Sequence, residues 1–204
     1  TLKKRERTRL VVFGGCGSNG EFLSSLERYD PSTNEWEGET VAPMRTARSC
    51  FGMAVLDGKL YAAGGRGEGD ESCNLVERYD FATNGWEVVA PMAVARNQPG
   101  VAVLDGKLYA VGGMETGDGG VPNRLSSVER YCPATNAWEM VAPMGSVRQS
   151  PAMAVLDGKL YAVGGYGIEE EEEAEGGGDD GRALNSVERY DPEMHAGEPV
   201  APPA

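Results

Sequence analysis

Four times along the chain a short apolar run closes on a pair of glycines: LVVFGG ending at Gly15, KLYAAGG at Gly65, and KLYAVGG at Gly113 and Gly165. In the last three, a second apolar stretch and an Asp-Gly step come first, at Asp57-Gly58, Asp105-Gly106 and Asp157-Gly158. Asp-Gly favours the type I′ turn, whose twist matches that of two paired strands. Each MAVLDGKLYAVGG-like segment therefore predicts a tight hairpin of strands a and b. Polar and apolar positions then alternate through a Glu-Arg-Tyr block beginning at Glu27, Glu77, Glu129 or Glu188. That period of two predicts a third strand, c. Asp-Pro-x-Thr-Asn chemistry, as in residues 30–34, turns the chain into strand d, which carries Trp36, Trp86 or Trp138. No segment keeps the helical period of 3.6.

The glycine pairs recur at intervals of 50, 48 and 52 residues, and V-A-P-M or a near match closes three of the units at Met44, Met92 and Met144. A four-stranded antiparallel unit of that length cannot bury both faces of its own sheet. Units stacked face to face around an axis can, which is the logic of a propeller. The fold class expected is thus an all-β propeller of about four blades of four antiparallel strands, an open part of a larger ring. The recurring tyrosines and tryptophans are expected to pack over neighbouring sheets, each burying roughly 150–250 Å². The arginine after each block's glutamate, as in Arg78, is expected to pair locally.

The organisation expected is a basic linker over residues 1–9 and a repeat domain over 10–204. Blade 1 (10–44) lacks strand a, and blades 2 and 3 (45–92 and 93–144) are complete. Blade 4 (145–204) contains an acidic insertion at 168–181. It also has Gly197 where the others have tryptophan, so its side-chain pattern gives no support for a fourth strand d.

Composition narrows the function. The chain has 19 Lys and Arg against 32 Asp and Glu, a net charge of −13. Without the first nine residues the balance is 14 to 31, or −17. That balance argues against non-specific nucleic-acid binding, which needs a positive surface. No apolar run approaches the roughly 18 residues of a membrane span, and Leu10–Phe13 is too short for a signal peptide. The four cysteines show no CxxC spacing and read as reduced thiols of a cytoplasmic, or alternatively nuclear, protein. A chain opening at Thr1 rather than Met reads as a processed or excised piece.

The Gly-Gly doublet, the Tyr-Asp pair and the tryptophan six residues later, repeated every 50 residues or so, resemble the kelch repeat. The ERYDP…TNxW…APM wording is most similar to the kelch domain of BTB–BACK–kelch substrate adaptors, over residues 10 to about 203. In that family six blades usually close the ring, strand a of the first blade comes from the far C-terminus, and the ring is a protein-binding platform. The resemblance implies that this chain is a non-catalytic module holding a protein or peptide on its loop face. It would be the substrate-recognition domain for a cullin-based ubiquitin ligase, which it reaches only through BTB and BACK domains absent here. A cytoskeletal, actin-associated or scaffold kelch protein is the alternative. The region encoded upstream of Thr1 separates the two.

Two loop sets are expected on one face: those between strands b and c, after each glycine pair, and those between d and a, after each Ala-Pro-Met. The d–a loops carry Arg48, Arg96 and Arg148 in register, which reads as structural. The resemblance implies that the two residues after each arginine face the ligand. In this sequence these are Ser49 and Cys50, Asn97 and Gln98, and Gln149 and Ser150. It further implies a ligand-facing arginine at Arg124, and Arg66, directly after Gly65, is a second candidate. Either guanidinium could grip a carboxylate bidentately. The fourth b–c loop holds eight acidic groups within residues 169–180. It reads as a solvated insertion or as an acidic flap disfavouring acidic ligands.

Other chemistry is poorly supported. Gly15-Cys16-Gly17-Ser18-Asn19-Gly20 fits G-x-G-x-x-G, but the repeat register puts a loop and a strand where a dinucleotide site needs a helix. His195 is the only histidine, so no His pair for a metal and no Ser–His or Cys–His partnership is available. No cofactor, metal or catalytic residue is expected.

Overall fold

The computed structural model describes residues 10–37, 41–116, 122–168, 181–192, 194 and 196–200. The basic linker, the acidic run 169–180 and His195 lie outside the described residues.

Four antiparallel sheets follow one another along the chain. The first has three strands, Leu10–Cys16, Phe22–Asp30 and Glu35–Glu37. The second has four: Gly52–Leu56, Lys59–Ala63, Val76–Asp80 and Gly85–Val88. The third repeats this order with Gly100–Leu104, Lys107–Val111, Val128–Cys132 and Ala137–Val141. The fourth comprises Ala152–Leu156, Lys159–Val163, Val187–Asp191 and Ala196–Val200. These are propeller blades, and among the described residues the set is not closed into a ring.

The local chemistry acts as the sequence suggests. Asp57 and Gly58 have φ of 51° and 70°, and the Asp105 and Asp157 turns match them, as a type I′ hairpin requires. The c–d turn places Asn34, Asn84 and Asn136 in the left-handed region. There the Asn84 side-chain oxygen accepts from Tyr79 Oη at 2.6 Å and from the Ala42 amide of the preceding blade at 3.0 Å. Asn136 does the same for Tyr131 Oη and the Ala90 amide. Arg78 pairs across the strands with Glu87, Arg130 with Glu139 and Arg189 with Glu198.

Two elements differ from the sequence reading. The fourth strand d forms: Ala196–Val200 pairs with Val187–Asp191, with Gly197 opposite Tyr190. An edge strand is held by its ladder, so losing the tryptophan does not dissolve it. Pro199 is tolerated because it lies on that edge. The b–c loops also carry more ordered structure than loops need. Met114–Glu115 pairs with Asn123–Arg124, Tyr166–Ile168 pairs with both Val147–Gln149 and Arg182–Ala183, and Glu68–Asp70 makes one 3-10 turn.

The core lies between the sheets. Trp86 sits over Phe13, Leu60 and Tyr79 and donates its indole N–H to Ala42 O at 2.9 Å. Trp138 packs against the next interface and donates to Ala90 O at 2.8 Å. Tyr61 meets Tyr131, and Tyr109 meets Tyr190, with ring centroids 5.8 and 5.9 Å apart. Trp36 holds the same register but is 51% exposed, whereas Trp86 is 6% exposed, because no described sheet covers the far side of the first blade. We therefore expect Trp86→Ala to cost about 3–5 kcal/mol in urea unfolding and Trp36→Ala within about 1 kcal/mol.

Candidate functional site: the loop face

The loops that carry the candidate residues are built on three buried arginines. Arg96 lies in the crossover from the second sheet to the third. Its main chain belongs to the second blade: its N–H donates to Cys73 O at 3.0 Å and its carbonyl accepts from Gly65 N at 2.7 Å. Its side chain belongs to the third. The guanidinium donates to Gly112 O at 2.7 Å, Ser127 O at 2.9 Å and Ser127 Oγ at 2.9 Å, and binds Glu129 Oε1 at 3.0 Å. Glu129 in turn accepts from the amides of Ala93 and Val94 in the same crossover. Burial pulls the Arg96 pKa down, and the Glu129 carboxylate opposes this.

Arg148 repeats the clasp with Gly164 O, Ser186 and Glu188, and its carbonyl accepts from Gly113 N. Arg48 repeats it with Leu75 O, Ala62 O and Glu77, and its carbonyl accepts from Gly15 N. All three arginines are fully buried. The glycine pairs exist for this contact. Gly64 and Gly112 have φ of 68° and 60°, and a Cβ on either would stand 2.3 Å from the carbonyl oxygen of Arg96 or Arg148.

With the crossovers fixed, the residues after each arginine pair with the b–c loops. Ser49 and Arg66 exchange backbone hydrogen bonds at 2.9 and 2.8 Å, as do Asn97 and Met114, both at 2.8 Å. Gln149 pairs with Tyr166 in the small loop sheet. Ser49 and Asn97 are buried in this seam. Cys50, Gln98 and Ser150, one residue further on, share a left-handed conformation with φ of 56°, 54° and 54°. Their backbones form a chain from blade to blade: Gln98 N donates to Cys50 O at 2.8 Å and Ser150 N to Gln98 O at 3.0 Å. The Gln149 amide donates to the Gln98 side-chain oxygen, and Gln98 Nε2 reaches Cys50 Sγ at 4.0 Å. Cys50 and Ser150 are exposed, and Gln98 and Gln149 half-buried.

The two arginine side chains make contacts of their own beside that arc. Arg66 lies 3.4 Å from Asp70 and over the Phe22 ring of the preceding blade. The Arg124 guanidinium stacks on Tyr166, 4.7 Å from the ring centre. The loops also touch each other: Ser72 Oγ donates to Met114 O, and Ser72 N to Thr116 Oγ1. The sequence reading singled out none of Glu77, Glu129 and Glu188 as partners of the arginines. The two residues of each pair lie 29, 33 and 40 positions apart, so no fixed spacing links them. Only their shared recurrence could have pointed to the pairing. Phe22 and Tyr166 carry no local signal.

Among the described residues, no three His, Cys, Asp or Glu side chains converge as a metal-ligand set, and no helix is long and apolar enough to cross a membrane. The four cysteines are free thiols.

Residues 2–166 match the KLHDC2/KLHL20/DRC7 Kelch-repeats domain, and residues 147–203 match the Kelch motif. The chain is similar to Kelch-like protein 33 of Homo sapiens, with 36% identity over 92% of this chain and 23% of that protein. It is similar to Kelch-like protein 40 of Xenopus tropicalis and of Mus musculus, with 34% and 36% identity over 81% of this chain. It spans 18% of the length of each of those two.

Glu129→Gln should leave a buried guanidinium without its counter-charge and lower the unfolding free energy by about 3–5 kcal/mol. Glu27, the first-blade counterpart, is exposed, so Glu27→Gln should stay within about 0.5 kcal/mol in the same urea titration.

Proposed function

Because this chain belongs to the kelch-repeat family, we propose that it works as a protein-binding module whose ligand rests on the arc of Cys50, Gln98, Gln149 and Ser150, flanked by Arg66 and Arg124. The observation that supports this most is the arc itself. Three successive crossovers present one polar residue each in the same left-handed conformation, joined by backbone hydrogen bonds. A surface of that kind is held rigid before binding, so little ordering entropy is lost on association. Ser49 and Asn97 support it from beneath. Cys50, Gln98, Gln149 and Ser150 offer hydrogen-bonding groups without charge, and the arginines supply the charged grips.

On this reading the module selects substrates for a cullin-based ubiquitin ligase, and the cullin is engaged by other parts of the full-length protein. The similarity to proteins named Kelch-like supports a kelch protein-binding domain.

The test uses full-length protein expressed with its upstream region. Proximity labelling followed by pull-down should recover a cullin together with a substrate protein. Gln98→Arg combined with Ser150→Arg should reduce substrate recovery at least tenfold and leave the cullin in place. Glu139→Lys, on the outer strand of the third blade, should change neither. Substrate recovery unaffected by the arc variant would reject the loop-face reading. Recovery of substrate without a cullin would reject only the ligase role.

A further inference from the structure

The interface between the third and fourth sheets is built like the two before it, with one group missing. Trp86 lies among Met44, Leu60, Ala62 and Tyr79. Trp138 lies among Met92, Leu108, Ala110 and Tyr131. The corresponding walls at the last interface are Met144, Leu160, Ala162 and Tyr190, and the position facing them is Gly197. The ladder confirms the register, since Gly197 stands opposite Tyr190 as Trp86 stands opposite Tyr79 and Trp138 opposite Tyr131.

A cleft remains where the ring would be. It holds about 310 Å³ of empty space counted out to open solvent and is lined almost wholly by apolar atoms, with Val111, Val128 and Met153 completing the walls. Ala142 lies on its rim, in the position of Ala42 and Ala90, whose carbonyls accept the indole N–H in the other two interfaces. Among the described residues Tyr190 Oη, buried beside the cleft, has no hydrogen-bond partner, whereas Tyr79 and Tyr131 donate to asparagines at the sequence position where the fourth unit has His195.

The geometry points to a binding site for a small planar bicyclic aromatic bearing an N–H, an indole-class ligand, in the cleft between the third and fourth blades. The chain itself shows that this shape suits the ligand: twice it fills the same walls with an indole, and twice the indole N–H meets the carbonyl at this register. Enclosed apolar cavities left by a deleted side chain take up aromatic molecules rather than water, and this cleft, open on one side, has the same apolar lining. The walls belong to two packed sheets, the third and the fourth. The site lies in the interface between sheets rather than on the loop arc, and its occupancy is independent of the protein ligand proposed there.

Indole itself is the probe, titrated into the 204-residue chain and followed by calorimetry and by saturation-transfer NMR. The expected result is saturable binding at one site per chain. 1-Methylindole, which cannot donate to the Ala142 carbonyl, should bind about three- to tenfold more weakly. Gly197→Trp should abolish indole binding and raise the thermal midpoint. Its Cβ would stand 3.2 Å from Pro143 O, a contact relieved by a shift of a few tenths of an ångström. If that variant does not fold, Ala162→Leu, which fills the cleft from its wall, should abolish binding instead. Absence of saturable binding to the wild type would overturn the proposal. So would equal affinity for 1-methylindole, or undiminished binding to a folded cleft-filling variant.

Discussion

A buried guanidinium that belongs to two sheets at once is the interaction on which the rest of this molecule depends. Neighbouring blades could pack face to face on apolar contacts alone, but those contacts are non-directional and would leave the crossover between blades free to wander. Arg48, Arg96 and Arg148 remove that freedom. Each gives its backbone to the loop of one blade and its side chain to the carbonyls and glutamate of the next. A charge taken out of water is costly unless its donors are satisfied, which limits the Arg96 and Arg148 crossovers to the arrangement that satisfies them; at Arg48 the pair with Glu77 is looser, at 3.6 Å, and Nε has no hydrogen-bond partner among the described residues. The left-handed residue that follows each arginine inherits its position from the clasp.

This division of labour explains where the repeats can vary. The glycine pair, the arginine and the glutamate form a connected set, and all of them recur in the second, third and fourth units. The tryptophan is different. It contributes area and one hydrogen bond to a single interface, so its replacement by Gly197 leaves a cleft while the fourth ladder persists. The first blade shows the converse: Glu27 and Trp36 keep their places in the sequence, yet both are exposed because no described crossover or sheet reaches them. A repeated residue has its structural role only where its neighbour is present.

Much of the architecture was legible because it is written in local chemistry. The Asp-Gly hairpins, the alternation around Glu-Arg-Tyr and the asparagine turns each act within a few residues, and each forms as the pattern implies. The strand at Ala196–Val200 was obscured because side-chain pattern is a poor guide to an edge held by backbone pairing. In the site, the positions after each arginine could be named from the repeat register. Their burial could not: Ser49 and Cys50 are neighbours of similar size, yet one is sealed in the seam and the other open. That difference comes from backbone pairing with Arg66, far along the chain. Nor did sequence reveal that Arg124 stacks on Tyr166, since the two meet only once the loop sheet has formed.

The claim that clasped crossovers make the loop face as rigid as the core is tested most directly by native-state amide hydrogen exchange on the unmodified chain. The amides of Gly65, Ala93, Val94, Gln98, Gly113 and Ser150 report on the clasps and the arc, and those of Tyr109 and Ala110 on a core strand. If the account is right, both groups exchange through the same opening and show equal opening free energies. Exchange of the loop amides orders of magnitude faster, with the strand still protected, would contradict it.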